Sequence, residues 1–180
     1  MKLHNMQAIL LVNLGSPNEL TISSIRSFLR KFLSDKRVVG LPRILWYPIL
    51  YGIILPIRAR RLLKQYWQIA LDGQSPLIHY TKQQQLQLEH KFRNEKNNKK
   101  IIVYAFSYAK PDINDVLSSL HNQNNITALT VLPLYPQYSS TTTSAVFDQV
   151  TRFYADKKYL PELKFIRDFH NNDNYITAIT

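Results

Sequence analysis

Residues 7–13, Gln-Ala-Ile-Leu-Leu-Val-Asn, form a short, nearly unbroken apolar run that stops at Leu14-Gly15-Ser16-Pro17. A run of this kind predicts a strand covered on both faces, as in a parallel sheet. Lys100–Phe106, Ile126–Leu132 and Leu163–Arg167 are read as three further strands. Between them the apolar spacing becomes helical. Thr21 predicts the cap of a helix over 22–33, with Ile22, Ile25, Leu29 and Phe32 on one face. Pro111 predicts the first turn of a helix reaching about Leu120. A helix over 143–156 groups Val146, Phe147, Val150 and Phe153, and another begins near Asp173. Strands alternating with helices predict an α/β fold with a parallel sheet flanked by helices. Such sheets bind ligands at the C-terminal ends of their strands, which here means the loops 13–18, 107–111, 133–143 and 167–172.

An insertion at about 36–99 interrupts this alternation. It opens with the apolar stretch Leu41–Ile57, which carries Arg43, Pro42, Pro48 and Pro56. A membrane-spanning helix needs about 20 consecutive apolar residues, so this stretch is not read as one. Two readings remain: a piece of core, or an exposed lip that grips an apolar ligand or touches lipid. Trp46, Tyr47 and Tyr51 suit an interface, and Arg58, Arg60 and Arg61 follow where carboxylates or anionic headgroups would sit. Helices over about 59–70 and 80–95 complete the insertion.

The 180 residues suffice for one domain with its own core. There is no cysteine, which excludes disulfides and thiolate metal sites and fits a reducing, cytoplasmic setting. Met1–Asn5 lacks the apolar stretch of a secretory signal. A formal charge of +11 admits nucleic acid, an anionic membrane or an acidic small molecule as partner. The cations cluster at Arg58-Arg60-Arg61-Lys64 and Lys96-Lys99-Lys100, but no nucleic-acid motif accompanies them, so no nucleic-acid partner is expected. No G-x-G-x-x-G, P-loop or G-x-S-x-G occurs. The histidines at 4, 79, 90, 121 and 170 have no metal-ligand spacing, so no metal site is assigned; His79, just past Ser75-Pro76, is the one nearest the expected cleft.

The most unusual segment is Leu132–Thr143. Pro133 and Pro136 stiffen it, and Tyr135 and Tyr138 offer flat apolar faces with polar tips. The hydroxyl run Ser139-Ser140-Thr141-Thr142-Thr143 then enters a helix N-terminus, which favours anions. Helix capping alone needs one hydroxyl. A flat, apolar, carboxylate-bearing ligand matches this loop together with Arg58.

These residues resemble the ferrochelatase family, in its Gram-negative bacterial form. The resemblance is carried by Leu11–Pro17, Phe32-Leu33-Ser34-Asp35-Lys36-Arg37-Val38-Val39, Ile53–Arg58, Gly73-Gln74-Ser75-Pro76-Leu77 and Leu132–Ser139, in family order over nearly the whole chain. It implies two Rossmann-like (chelatase-like) domains flanking a porphyrin cleft, residues 1–180 being the N-terminal one. Segment 41–57 is similar to the family's hydrophobic lip. Arg58 and Ser75 match positions near the porphyrin propionates, where a guanidinium suits paired carboxylates. Tyr66, Tyr108, Tyr138, Ser139 and Thr141 match other cleft positions. Leu14 falls where several relatives place a Tyr or Met against the metal centre, and a leucine offers only apolar contact.

The implied activity is insertion of ferrous iron, as substrate, into protoporphyrin IX to form protohaem, with no cofactor. Insertion needs a base for two pyrrole N–H protons and ligands suited to Fe(II). In the family a His and a Glu of the C-terminal half fill these roles. Both are expected past Thr180, so no catalytic residue is assigned here and the chain is expected to be inactive alone, a missing C-terminal half being a partner. Some relatives place an iron–sulfur cysteine at the position of Ser140; no cluster is expected here. The alternatives are a non-catalytic porphyrin-binding module and a peripheral inner-membrane protein held by 41–57.

Overall fold

The computed structural model describes residues 6–93, 100–123 and 126–180. Met1–Asn5, Lys96, Lys99 and the last two residues of the helix expected over 80–95 lie outside them. The strands are β1 (Met6–Asn13), β2 (Lys100–Phe106), β3 (Ile126–Pro133) and β4 (Glu162–Phe165). The helices are α1 (Ile22–Leu33), α2 (Arg43–Ile49), α3 (Leu55–Ile69), α4 (Pro76–Arg93), α5 (Ile113–Asn122), α6 (Thr143–Tyr154) and α7 (Asp173–Ile179). All strand pairs are parallel, in the order β2-β1-β3-β4.

The apolar run of β1 is explained by its central place. Ala8, Leu10 and Val12 face α5 and α6 and form one core with Ile113, Leu117, Val131, Val146 and Val150. On the other face, α4 packs along β1 and β2. Thr81 accepts a bond from the Asn13 amide at 3.1 Å, and the Gln85 amide donates to the Ile102 carbonyl at 3.0 Å.

A second core holds the helical insertion together. Ile25, Phe28, Leu29 and Leu33 of α1 pack with Leu50, Leu55, Ala59 and Tyr108. Thr21 caps α1 as expected, accepting from the Ser24 N–H. Ile22 was expected on the buried face but stays exposed in the first turn, and Phe28 and Leu33 take its place.

Segment 41–57 is largely helical, and it divides between the two readings: Leu50 and Leu55 are buried, while Leu41, Ile44, Leu45, Ile53 and Ile57 are exposed. α2 continues through a π turn at Leu50–Ile54 into α3, so α3 starts at Leu55 rather than near residue 59. Pro48 and Pro56 lack N–H donors, and the one wide turn lies between them. Pro111 does not open α5. Its carbonyl accepts from the Phe106 N–H, and the helix begins at Ile113 with Asp112 capping through the Asp115 N–H. The side-chain cap, one residue nearer the helix, fixes the start. α4 begins four residues before the expected position, at Pro76, where proline does occupy the first turn. β4 ends at Phe165 rather than Arg167.

Candidate functional site

β1 connects to β2 on one side of the sheet, while β3 lies on its other side. The C-terminal ends of β1 and β3 are therefore the topological switch point, where parallel sheets open a ligand crevice. Gly15 shapes the loop leaving β1. Its φ is +90°, and a Cβ there would meet Ala109 Cβ at 2.7 Å and Phe106 Cβ at 2.8 Å. Only glycine allows the β1 and β2 loops to approach this closely. The Tyr108 N–H then bonds the Leu14 carbonyl, and the Leu134 N–H bonds Val12, tying the three strand ends together.

Leu14, Tyr66 and Tyr108 converge on the second core. Tyr108 is 5% exposed, and its hydroxyl donates to Asp35 Oδ2 at 2.8 Å. Burial, then this bond, pushes its phenol well above the ordinary range. Arg58 is exposed on α3, next to buried Ala59. Ser75 is buried at the head of α4, its carbonyl accepting from the Ile78 and His79 N–H groups. Asp72 and Gly73, with φ of 49° and 75°, turn the chain into it. Leu71 and Gln74 exchange both backbone bonds at 2.9 Å, so this is a tight type I′ turn. His79 stacks edge-on against Tyr80.

The hydroxyl loop is organised by its own bonds. Ser139 Oγ meets Thr141 Oγ1 at 2.8 Å and accepts from the Thr141 N–H. Tyr138 pairs with Ser144 at 2.7 Å, and the Arg167 guanidinium lies 5.0 Å from the centre of its ring. Thr142 stands at the cap of α6 without a side-chain bond into the helix, its hydroxyl donating instead to the Ser139 carbonyl at 3.5 Å. Tyr138, Ser139 and Thr141 thus share one loop, while Leu14, Tyr66 and Tyr108 share a cluster. No hydrogen bond among the described residues joins the two groups. A cavity of about 570 Å³ lies beside the loop, between Gln84, Leu132, Leu134, Pro136, Phe169 and Tyr175.

Ser16 and Ser107 escaped the sequence reading as site candidates, and Tyr135 entered it only as part of the ligand loop. The hydroxyls of Ser16, Ser107 and Tyr135 are sealed from solvent without a hydrogen-bond partner. Ser107 and Tyr135 lie near each other without forming a bond, and burial raises the Tyr135 phenol. An unsatisfied buried hydroxyl costs about 1–3 kcal/mol, so three at neighbouring strand ends make a polar patch with hydrogen-bonding capacity to spare. Their sequence signal is position: each follows a strand by one to three residues.

Arg37 makes a bidentate pair with Asp148, at 2.7 and 2.9 Å, joining the turn after α1 to α6. That bond holds the Asp148 carboxyl below its ordinary value, against a small opposing effect of burial. Among the described residues no three His, Asp or Glu side chains converge to hold a metal ion. No described helix is long and apolar enough to cross a membrane.

The family model described as Ferrochelatase matches residues 6–180. The ferrochelatase of Janthinobacterium sp. (strain Marseille) is 41% identical over 172 residues, covering 96% of this chain and 46% of its own. That of Escherichia coli O9:H4 (strain HS) is 39% identical over 171 residues, covering 95% of this chain and 52% of its own. The chain spans about half the length of the curated relatives it matches.

Proposed function

The chain belongs to the ferrochelatase family, and from that premise we propose that it forms the porphyrin-holding wall for insertion of ferrous iron into protoporphyrin IX. The observation that carries this reading is that Leu14, Tyr66 and Tyr108 belong to one apolar cluster, Leu14 and Tyr108 being bonded backbone to backbone at the strand ends and Arg58 lying exposed on the helix that supplies Tyr66. Flat aromatic and apolar groups suit the macrocycle, and a guanidinium suits a propionate. Ser75, Tyr138, Ser139 and Thr141 complete the wall. In this reading the ligands to iron and the base for the pyrrole protons come from a C-terminal domain, and the 180-residue chain binds porphyrin without metalating it.

The test is a titration of the chain with protoporphyrin IX followed by Soret absorbance. Saturable binding is expected, weakened about tenfold by Arg58→Ala, as for loss of one charge-assisted pair. Absence of saturable binding would sink the reading. Haem formation by the chain alone, on anaerobic addition of ferrous iron, would overturn the assignment of chemistry to another domain.

A second reading, compatible with the first, is peripheral contact with the cytoplasmic face of a membrane through 41–57. It is supported by Leu41, just before α2, and by Ile44, Leu45, Ile49, Tyr51, Ile53 and Ile57 on the continuous helical stretch that follows, all exposed. Contiguous exposed apolar side chains mark a surface that associates with something. Flotation with liposomes tests it.

A further inference from the structure

A cleft of about 760 Å³ opens between the end of α1, the turn after it, the start of α2, the start of α5 and one face of α6. Lys31, Lys36, Arg37, Arg43 and Arg152 line it, against the carboxylates of Asp35, Asp112 and Asp148. The ion pairs leave cations over. Arg37 is taken by Asp148, and Asp112 is taken by Lys110, which stands outside the lining. Asp35 accepts from the Tyr108 hydroxyl and the Arg37 N–H. Among the described residues, Lys31, Lys36, Arg43 and Arg152 have no carboxylate within ion-pair distance. They come from four separate elements and surround one concavity.

The cleft adjoins the exposed apolar surface. Arg43 is the first residue of α2, its guanidinium 6.0 Å from the centre of the Tyr47 ring. Its neighbours Leu41, Ile44 and Leu45 are 53%, 87% and 64% exposed. Unpaired cations beside projecting apolar side chains complement a surface with phosphates above hydrocarbon. We propose that this cleft receives the phosphate headgroup of an anionic phospholipid while Leu41, Ile44 and Leu45 enter the acyl layer beside it. The inference rests on the membrane reading above and adds the lipid class and the side chains that select it.

The experiment is flotation of the 180-residue chain with vesicles of phosphatidylcholine alone and of phosphatidylcholine mixed with phosphatidylglycerol. Three variants accompany it: Lys36→Gln/Arg43→Gln/Arg152→Gln in the cleft, Ile44→Ser/Leu45→Ser in the apolar surface, and Lys82→Gln/Lys91→Gln on α4 as a charge control. All the replaced side chains are exposed, and circular dichroism verifies folding. The expected result is preference for the mixed vesicles, with affinity falling about a hundredfold in the cleft variant, at roughly fivefold per cation. The control should lose far less, and the apolar variant should lose binding to both vesicle types. Equal losses in cleft and control variants, or equal binding to both vesicle types, would overturn the headgroup cleft while leaving membrane contact standing. No vesicle binding at all would remove the membrane reading and this inference with it. Saturable binding of inorganic phosphate, without vesicle partition, would reassign the cleft to a soluble anion and overturn the proposal.

Discussion

Tyr108 and Asp35 stand 73 positions apart, yet the phenol of one donates to the carboxylate of the other across 2.8 Å. The bond pins the strand-end loop of β2 to the turn after α1, where the Arg37–Asp148 pair adds a second tie, to α6. Tyr108 is thereby fixed by a residue of the Phe32–Val39 motif to which the resemblance assigned no site role.

Loss of that hydroxyl has a defined cost. Tyr108→Phe is expected to lower stability by about 1 kcal/mol at neutral pH, the net worth of one hydrogen bond. Chemical denaturation measures it, and an unchanged midpoint would show the bond to be energetically idle.

Alkaline pH should unfold the protein through its buried tyrosines. Burial raises the phenols of Tyr108 and Tyr135, and pushes that of Tyr154 up to about 12. A raised folded-state value means stability is intact below the unfolded phenol value of about 10 and is lost as pH rises toward the folded value. Thermal midpoints should decline above about pH 10. Tyrosinate absorbance from these three rings should appear together with unfolding. A single smooth titration with no change in midpoint would contradict this.

The Arg37–Asp148 pair predicts the opposite, acid-side behaviour. The Asp148 carboxyl is held below its ordinary value, so its contribution is present above the unfolded value of about 3.9 and is lost as pH falls through the folded one. Asp148→Asn should be less stable than the parent at neutral pH, with the gap closing below about pH 3.9. Urea melts at the two pH values decide it, since a gap independent of pH rules out the ion pair as its source.

Gly15→Ala should be severely destabilising. The substitution combines a left-handed φ with two contacts below 3 Å, for a cost of about 2–5 kcal/mol. Soluble expression with a near-parental melting temperature would mean that the β1 and β2 loops can separate cheaply.

Core and lip should respond in opposite ways to truncation. Leu117, fully buried in the sheet core, should cost about 2–5 kcal/mol on replacement by alanine. Ile44→Ser, at a position 87% exposed, should leave stability within about 0.5 kcal/mol. The lip variant serves as the stability-neutral comparison, and a large loss there would show that Ile44 is packed.

Much of this molecule is legible in the order of its residues. The apolar run at 7–13 announces a central strand, and Thr21 marks the start of α1 to the residue, because side-chain caps act locally. The start of α3 is missed by four residues, because Pro56 argues for a break while Leu55 and Ala59 are drawn in by packing on α1. Pro111 misleads for a smaller reason: Asp112, its neighbour, is the better cap. The Asp72-Gly73 turn was readable from its dipeptide alone. What no local pattern encodes is that Leu14, Tyr66 and Tyr108 join one cluster, or that Ser16, Ser107 and Tyr135 are left unpaired. Those facts arise only when three strand ends are drawn level.

The two hydrophobic cores have no buried member in common, one belonging to the sheet with α5 and α6 and the other to α1, α3 and the π turn. Side-chain volume can therefore be traded within one core without repacking the other. Selection is free to reshape the helical insertion while the sheet that anchors it keeps its sequence. Compensating substitutions among relatives should accordingly fall within one cluster, as among Phe28, Leu29, Leu55 and Ala59, rather than across the boundary between the cores.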